Sequence, residues 1–292
     1  MSANQMTGLR EIWSTAHVDV PASLERNGEY SARSELFKAA AALIPNVANK
    51  RVAVFCSSSR YEVIAMLAAM HSASKIILPP TNQIEALKEI SAAFDLILTD
   101  EDLPTSIPHL NISQIAGAGR VDDDLCATPI DLTKEVIFFT SGSTGKPKEI
   151  VKHLYQLDNE VQVWEQMIGA EVGRAEIHAT VSHQHIYGLL FRILWPLCSL
   201  RPFLAHTHTR WEEVAASVAD GRNYLLFSSP THLSRLGPLE TSDIRLSPIY
   251  TFSSGGILQP EFAGQATALL GGPILEIYGS TETGGIARRF NA

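Results

Sequence analysis

The chain has 292 residues, 45% of them hydrophobic, and a formal net charge of −8. That length buries one large core or two smaller ones, and the apolar share is that of a globular protein. The negative balance argues against nucleic acid or an anionic membrane surface as the main partner. Met1 to Trp13 has no apolar core of the kind a secretory signal needs. The most apolar stretch, Ile186 to Leu200, is interrupted by Arg192 and Pro196 and is short for a membrane span. Cys56, Cys126 and Cys198 are odd in number and lack metal or redox spacing, so they read as buried thiols in a reducing, cytoplasmic setting.

After an N-terminal tail, helices and strands are predicted to alternate. Ser34 to Leu43 reads as a helix and Arg51 to Cys56 as a short apolar strand. Ser59-Arg60-Tyr61-Glu62 has capping-box spacing and opens a helix through Met70. Lys75 to Leu78 is a strand closed by Pro79-Pro80, Gln83 to Phe94 a helix, and Asp95 to Leu98 a strand. This βαβαβ order predicts a parallel sheet flanked by helices. Asp100 to Asp131, with scattered proline, glycine and acids, reads as loop. Glu135 to Phe139 is a strand and His153 to Ile168 a helix. Strands follow at Ile177 to Val181, Phe203 to Ala205, Tyr224 to Phe227, Ile249 to Phe252 and Ile274 to Tyr278. Helices at Tyr187 to Leu197, Trp211 to Ala219 and Gln259 to Leu270 lie among them. The pattern predicts two doubly wound αβ sheets packed together, with ligand at the carboxyl ends of strands. The first region covers about residues 1–132 and the second 133–292, with segments exchanged between them.

Phe138 to Lys148 carries the strongest chemical signal. A strand feeds a loop of glycines, hydroxyls and lysines: Thr140, Ser141, Gly142, Ser143, Thr144, Gly145, Lys146 and Lys148. Glycine permits positive φ and close backbone approach, so successive amides can point into one concavity. Hydroxyls add donors and lysines add charge. Such a loop is suited to phosphate oxygens. A Walker loop needs four residues between its glycines and a Lys-Ser or Lys-Thr pair opening a helix. Here Gly142 and Gly145 enclose two residues and Lys146 precedes Pro147, while Ile150-Val151-Lys152 alternates as a strand would. The expectation is a β-hairpin.

This segment resembles the phosphate loop of the adenylate-forming superfamily, which includes acyl- and aryl-CoA synthetases, luciferases and peptide-synthetase adenylation domains. Two further segments match in the family's order. His183-Gln184-His185-Ile186-Tyr187-Gly188 resembles the acyl-site segment, and Tyr278-Gly279-Ser280-Thr281-Glu282 resembles the Tyr-Gly-x-Thr-Glu signature. Ser254-Gly255-Gly256 stands where the family has a Gly-Gly stretch walling the adenine. The resemblance implies ATP and Mg²⁺ as ligands, with Thr140 to Gly145 and Lys148 on the phosphates. It places Gly255, Gly256 and Tyr278 beside adenine, Thr281 on the α-phosphate, Glu282 on Mg²⁺ and His185 beside the incoming carboxylate. Trp164, Phe191, Leu194 and Trp195 are candidate acyl-pocket residues or, equally, core.

The implied reaction joins a carboxylic acid, aryl or medium acyl, to AMP with release of pyrophosphate. Transfer to coenzyme A or to the pantetheine of an acyl carrier protein follows. A carboxylate nucleophile is already ionised near neutral pH, so donors, cations and a metal ligand are needed rather than an acid/base dyad. The His183/His185 and His206/His208 pairs have a spacing seen in metal sites, but neither has a carboxylate or cysteine partner nearby in sequence, which argues against zinc. The family continues past the Glu282 segment with a ribose-binding aspartate, a hinge and a small C-terminal domain bearing a lysine. A sequence closing at Ala292 therefore reads as a truncated form lacking that domain, impaired in activity. Two other readings stay open: a non-catalytic nucleotide-binding or assembly module, and a P-loop phosphotransferase, which the Lys146-Pro147 exit disfavours.

Overall fold

The apolar runs of the sequence condense into two sheets. The structure, a computed structural model, describes residues 6–115, 119–141, 147–218, 221–236 and 246–291. Its first strands are β1 (Pro21–Leu24), β2 (Tyr30–Ala32), β3 (Arg51–Val54), β4 (Lys75–Leu78), β5 (Leu96–Thr99) and β6 (His109–Asn111). A hairpin follows, β7 (Glu135–Ser141) and β8 (Pro147–His153). Next come β9 (Glu176–Ala179), β10 (Phe203–Leu204), β11 (Tyr224–Ser228), β12 (Tyr250–Ser253), β13 (Ile274–Ser280) and β14 (Gly284–Asn291).

Six strands form one sheet in the order β6-β5-β3-β4-β7-β8, parallel except for the antiparallel β7–β8 pair. Eight form the other, β14-β13-β12-β11-β9-β10-β1-β2, parallel except for the antiparallel pair at each end. Parallel strands covered on both faces must be apolar on both, and every residue of β9, β11 and β12 is buried or nearly so. The two parallel-rich sheets agree with the doubly wound αβ pair expected from the sequence. β1 and β2 join the sheet built otherwise from residues 176–291, while β7 and β8 join the sheet built otherwise from residues 51–111.

The helix Ser59–Ser72 lies between the sheets, touching β3, β4 and β5 of one and β10 of the other. Its residues from Val63 to Met70 are all buried. A helix apolar all round is a helix with protein all round it. Its cap differs from the expected one. Ser58, one residue earlier, is the N-cap and accepts from Arg60 N at 3.3 Å. Ser59 and Glu62 spend their groups on tertiary contacts instead. Ser59 Oγ accepts from Arg192 at 2.7 Å, and Glu62 Oε2 accepts from Cys56 N at 2.9 Å.

Other differences have local causes. The expected tail is core: a 3₁₀ turn at Leu9–Thr15 buries Leu9, Ile12 and Trp13, and Leu9 N donates to the Asp158 carboxylate at 2.7 Å. Three apolar residues in one turn are too few to show as a helical period. The expected loop from Asp100 to Asp131 contains β6, a 3₁₀ turn at Ile112–Gln114 and a short helix, Asp123–Ala127. The helix expected from Gln83 to Phe94 is Ile84–Glu89 followed by a separate 3₁₀ turn, Ser91–Ala93. The apolar helix near Tyr187 is π-helical over Leu189–Leu194. Pro196 has no N–H to give the Arg192 carbonyl, and the turn before it is the wider one. Among the described residues no helix is long and apolar enough to cross a membrane.

Burial pushes the Glu62 carboxyl from about 4.5 up to about 8. Between those values the folded chain holds a proton that the unfolded chain has lost, so the Glu62 contribution to stability falls as pH rises through that window. Glu62→Gln removes the titration. The unfolding free energy of E62Q minus that of the parent should climb between about pH 4.5 and 8 in urea melts; parallel pH profiles would contradict the buried, protonated carboxyl.

Candidate active site

Side chains alternate along a strand, so Lys148, Ile150 and Lys152 of β8 share one face. Ile150 and Lys152 are buried on that face, and Lys148 stands at its open end. Opposite them is the turn between β13 and β14, which carries Thr281 and Glu282. Its geometry is set by reciprocal bonds: Ser280 N donates to Thr283 Oγ1 at 3.1 Å and Thr283 N to Ser280 Oγ at 3.2 Å. Gly284 follows at φ +71, a conformation that L side chains rarely adopt. The two hairpins are tied twice. Lys148 Nζ lies 2.7 Å from Glu282 Oε1, and Lys152 Nζ donates to the Glu282 backbone carbonyl at 2.7 Å. The bond from Lys148 is the main reason the exposed Glu282 carboxyl sits below the usual range.

The antiparallel register from Glu135↔His153 to Ser141↔Pro147 establishes the hairpin expected there in place of a strand-to-helix turn. Gly142, Ser143, Thr144, Gly145 and Lys146, at its tip, lie outside the described residues. Of the expected phosphate-loop residues, Thr140 and Lys148 are placed with their side chains, and Ser141 by its backbone pairing only.

Two cavities flank β13. One, of about 550 Å³, is walled by Gly255, Gly256, Tyr278 and Gly279, with Arg288 and Arg289 of β14 across from them. Gly255 follows the carboxyl end of β12 at φ +87, and nothing lies within 4 Å of where its Cβ would stand. Tyr278 is 70% exposed, so its ring is presented to this cleft rather than used in packing. The other cavity, of about 240 Å³, has an aromatic and aliphatic floor of Trp164, Tyr187, Leu190 and Phe191. His185, Gly255, Ser280 and Thr281 stand at its polar side. Beneath the floor the Phe227 and Phe252 rings stack at 4.5 Å, fixing Phe191 against Phe227 at 5.0 Å. Leu194 and Trp195, also candidates for the pocket, are fully buried and do not line it.

Strand ends supply these residues. β12 ends before Ser254-Gly255-Gly256, β13 carries Tyr278 and Gly279, and the segment after β9 leads through His183 to His185. Of the two histidines of that segment, the exposed His185 lines the smaller cavity. His183 is buried, with Nε2 2.8 Å from the Cys56 carbonyl and Nδ1 3.2 Å from Ser59 Oγ. Desolvation holds it neutral, pushing it down to about 3. It and Arg192 anchor the segment to the helix between the sheets. His208 stacks on His178, and His206 packs edge-on against His208. Among the described residues no group of three or more His, Cys, Asp or Glu side chains could hold a metal.

Two functional candidates escaped sequence reading. Lys152, only 4% exposed, holds the Glu282 backbone, and Glu160 lines the smaller cavity. Lys152 was legible in part, since it follows Lys148 at a spacing of four on a strand. Glu160 had no local signal.

The AMP-binding enzyme family profile matches residues 127–292. No curated protein matches the chain by sequence at a significant level. Among solved structures, a malonyl-CoA ligase ternary product complex with methylmalonyl-CoA and AMP superposes with a TM-score of 0.77 at 23% identity, over 92% of this chain and 60% of that one. The o-succinylbenzoate coenzyme A synthetase MenE of Bacillus subtilis, in complex with AMP, gives 0.79 at 18% identity over 98% and 61%. The Klebsiella oxytoca NpsA N-terminal subdomain, in complex with 3-hydroxyanthranilyl-AMSN, gives 0.74 at 17% over 99% and 77%. At these identities the likeness is one of fold, and this chain spans about 60% of the length of the malonyl-CoA ligase. The profile covers more than half of the sequence, including both hairpins and the glycine wall between them: the chain belongs to the AMP-binding, adenylate-forming enzyme family.

Proposed function

We propose that this chain supplies the nucleotide and acid sites of an AMP-forming acid–thiol ligase. The protein would join an aryl or medium-sized carboxylic acid to AMP, release pyrophosphate, and pass the acyl group to coenzyme A or a carrier-protein pantetheine. The observation that carries the reading is the meeting of Lys148 with Glu282 at 2.7 Å, which brings the phosphate hairpin to the Thr281-Glu282 turn. The solved relatives' complexes, an AMP product in one and an acyl-AMP analogue on an N-terminal subdomain in another, support it.

The reaction sets one anion against a polyanion, so the work is positioning and charge stabilisation. In this reading Thr140 to Gly145 and Lys148 hold the phosphates, and Thr281 donates to the α-phosphate. Gly255 and Gly256 leave room for a flat purine that a Cβ would obstruct, with the Tyr278 ring alongside. His185 borders the acid's carboxylate at the mouth of the smaller cavity. Glu282 suits Mg²⁺, because its exposed carboxylate is held ionised by Lys148 and offers the hard oxygen such an ion takes. Bound there, Mg²⁺ would neutralise phosphate charge. Lys152 holds the Glu282 backbone, so the carboxylate can leave Lys148 for a ligand without loss of the turn.

Exchange of radiolabelled pyrophosphate into ATP by the full-length protein tests this across a panel of aryl and medium-chain acids. At least one acid should drive exchange, and Glu282→Gln should lower it on the order of 10²-fold or more, as for loss of a stabilising group at a phosphoryl site. Folded protein giving no acid-dependent exchange, or E282Q matching its parent, contradicts the reading. A titration followed by NMR of the Glu282 carboxyl checks the hairpin contact: Lys148→Met should raise its pKa towards the ordinary Glu value, and an unmoved titration would show that Lys148 does not set its charge.

A further inference from the structure

Resting on the reading of the smaller cavity as the acid site, Glu160 narrows the substrate. It stands on the helix Leu154–Val172, one turn before Trp164, so the two side chains share a face and enter the same cavity. Its carboxylate is clamped. Oε2 accepts from Gly285 N at 3.0 Å, and the other oxygen rests against Gly284, where any Cβ would collide with it. Gly284, at φ +71, is required by its conformation, and a Cβ there would in addition push this carboxylate out of its place. Oε1 has no hydrogen-bond partner among the described residues.

Among the described residues lining this cavity there is no lysine or arginine, and Glu160 is the lone carboxylate. A carboxylate offers acceptors and no donor. An acid carrying a second carboxylate would therefore bring a like charge into a low-dielectric, aromatic-floored space with no cation to meet it. A hydroxyl or amino group on the acid would find an acceptor already fixed in place. At about 240 Å³ the cavity is below the range usual for drug-sized ligands, which confines the acid to roughly a single ring or its equivalent.

We propose that Glu160 is a specificity residue that selects a small, apolar-bodied monocarboxylic acid bearing a hydrogen-bond donor, hydroxyl or amino, and rejects dicarboxylic acids. The test compares three kinds of single-ring acid: a benzoic acid, its hydroxyl- or amino-substituted forms, and a benzenedicarboxylic acid. Calorimetric binding and pyrophosphate exchange are measured for each on the parent, Glu160→Gln and Glu160→Leu.

In the parent the best donor-bearing acid should exceed benzoic acid by about tenfold or more, as for a hydrogen bond to a charged group, with the dicarboxylic acid weakest. E160Q keeps an oxygen for Gly285 N and loses the charge, so it should accept the dicarboxylic acid about tenfold better relative to benzoic acid. E160L should erase the donor preference. A purely structural role would lower all acids together; unchanged ratios in both variants overturn the proposal while leaving adenylation intact. Absent exchange with ratios of binding that follow Glu160 would overturn adenylation and leave the proposal standing. Absence of binding by every acid would overturn both.

Discussion

Two hairpins from different sheets meet at Glu282, and the site depends on that joint. The two ties differ in kind. The Lys148–Glu282 pair has side chains 57% and 50% exposed, so solvent screening leaves it contributing little to the fold. It is a poor staple. Both partners are available to a ligand, since either can turn to phosphate or metal at little cost. Lys152 is the opposite case, buried and bonded to a backbone carbonyl, where an unsatisfied group would cost about 1–3 kcal/mol. One lysine of the face holds the turn, and the other leaves its carboxylate exchangeable.

The same division runs through the rest of the site. On the polar side of the cavities the positions are conformationally special or exposed: Gly255 and Gly284 at positive φ, Tyr278 with its ring in solvent, His185 at a helix entrance. Behind them lie groups without freedom. His183 is held neutral by burial between Cys56 and Ser59, and Arg192 reaches Ser59 Oγ from the other side at 2.7 Å. Phe191 is fixed by the aromatic stack on β11 and β12. The acyl segment therefore borrows its rigidity from the helix between the sheets, which binds the first αβ layer to the second.

What the sequence made legible follows from the physics of each element. Parallel strands buried on both faces are apolar runs, and β3, β4, β7 and β11 to β13 showed as such. The hairpin was legible because Lys146-Pro147 forbids the helical exit. The strands that escaped lie at sheet margins or have too few residues for a period. β14 carries Arg288 and Arg289 because its outer edge is exposed, and β1 joins the sheet through β10, some 180 residues away, with β2 paired on β1. Among site residues, those in contiguous motifs were found. Glu160 and the tether through Lys152 exist only through contacts 125 and 130 residues apart, which no local window contains. The Ser59–Glu62 cap was misplaced because its spacing is right while its groups bond to Arg192, His183 and the Cys56 amide instead of the helix start.

The most direct test of the joint is the affinity for ATP measured by calorimetry with and without Mg²⁺. If Glu282 and the phosphate hairpin form one metal–phosphate site, Mg²⁺ should tighten ATP by about tenfold or more, equivalent to roughly 1.4 kcal/mol. Equal affinity in the two conditions would mean that Glu282 and the hairpin do not form one metal–phosphate site, and the account of the site would fail.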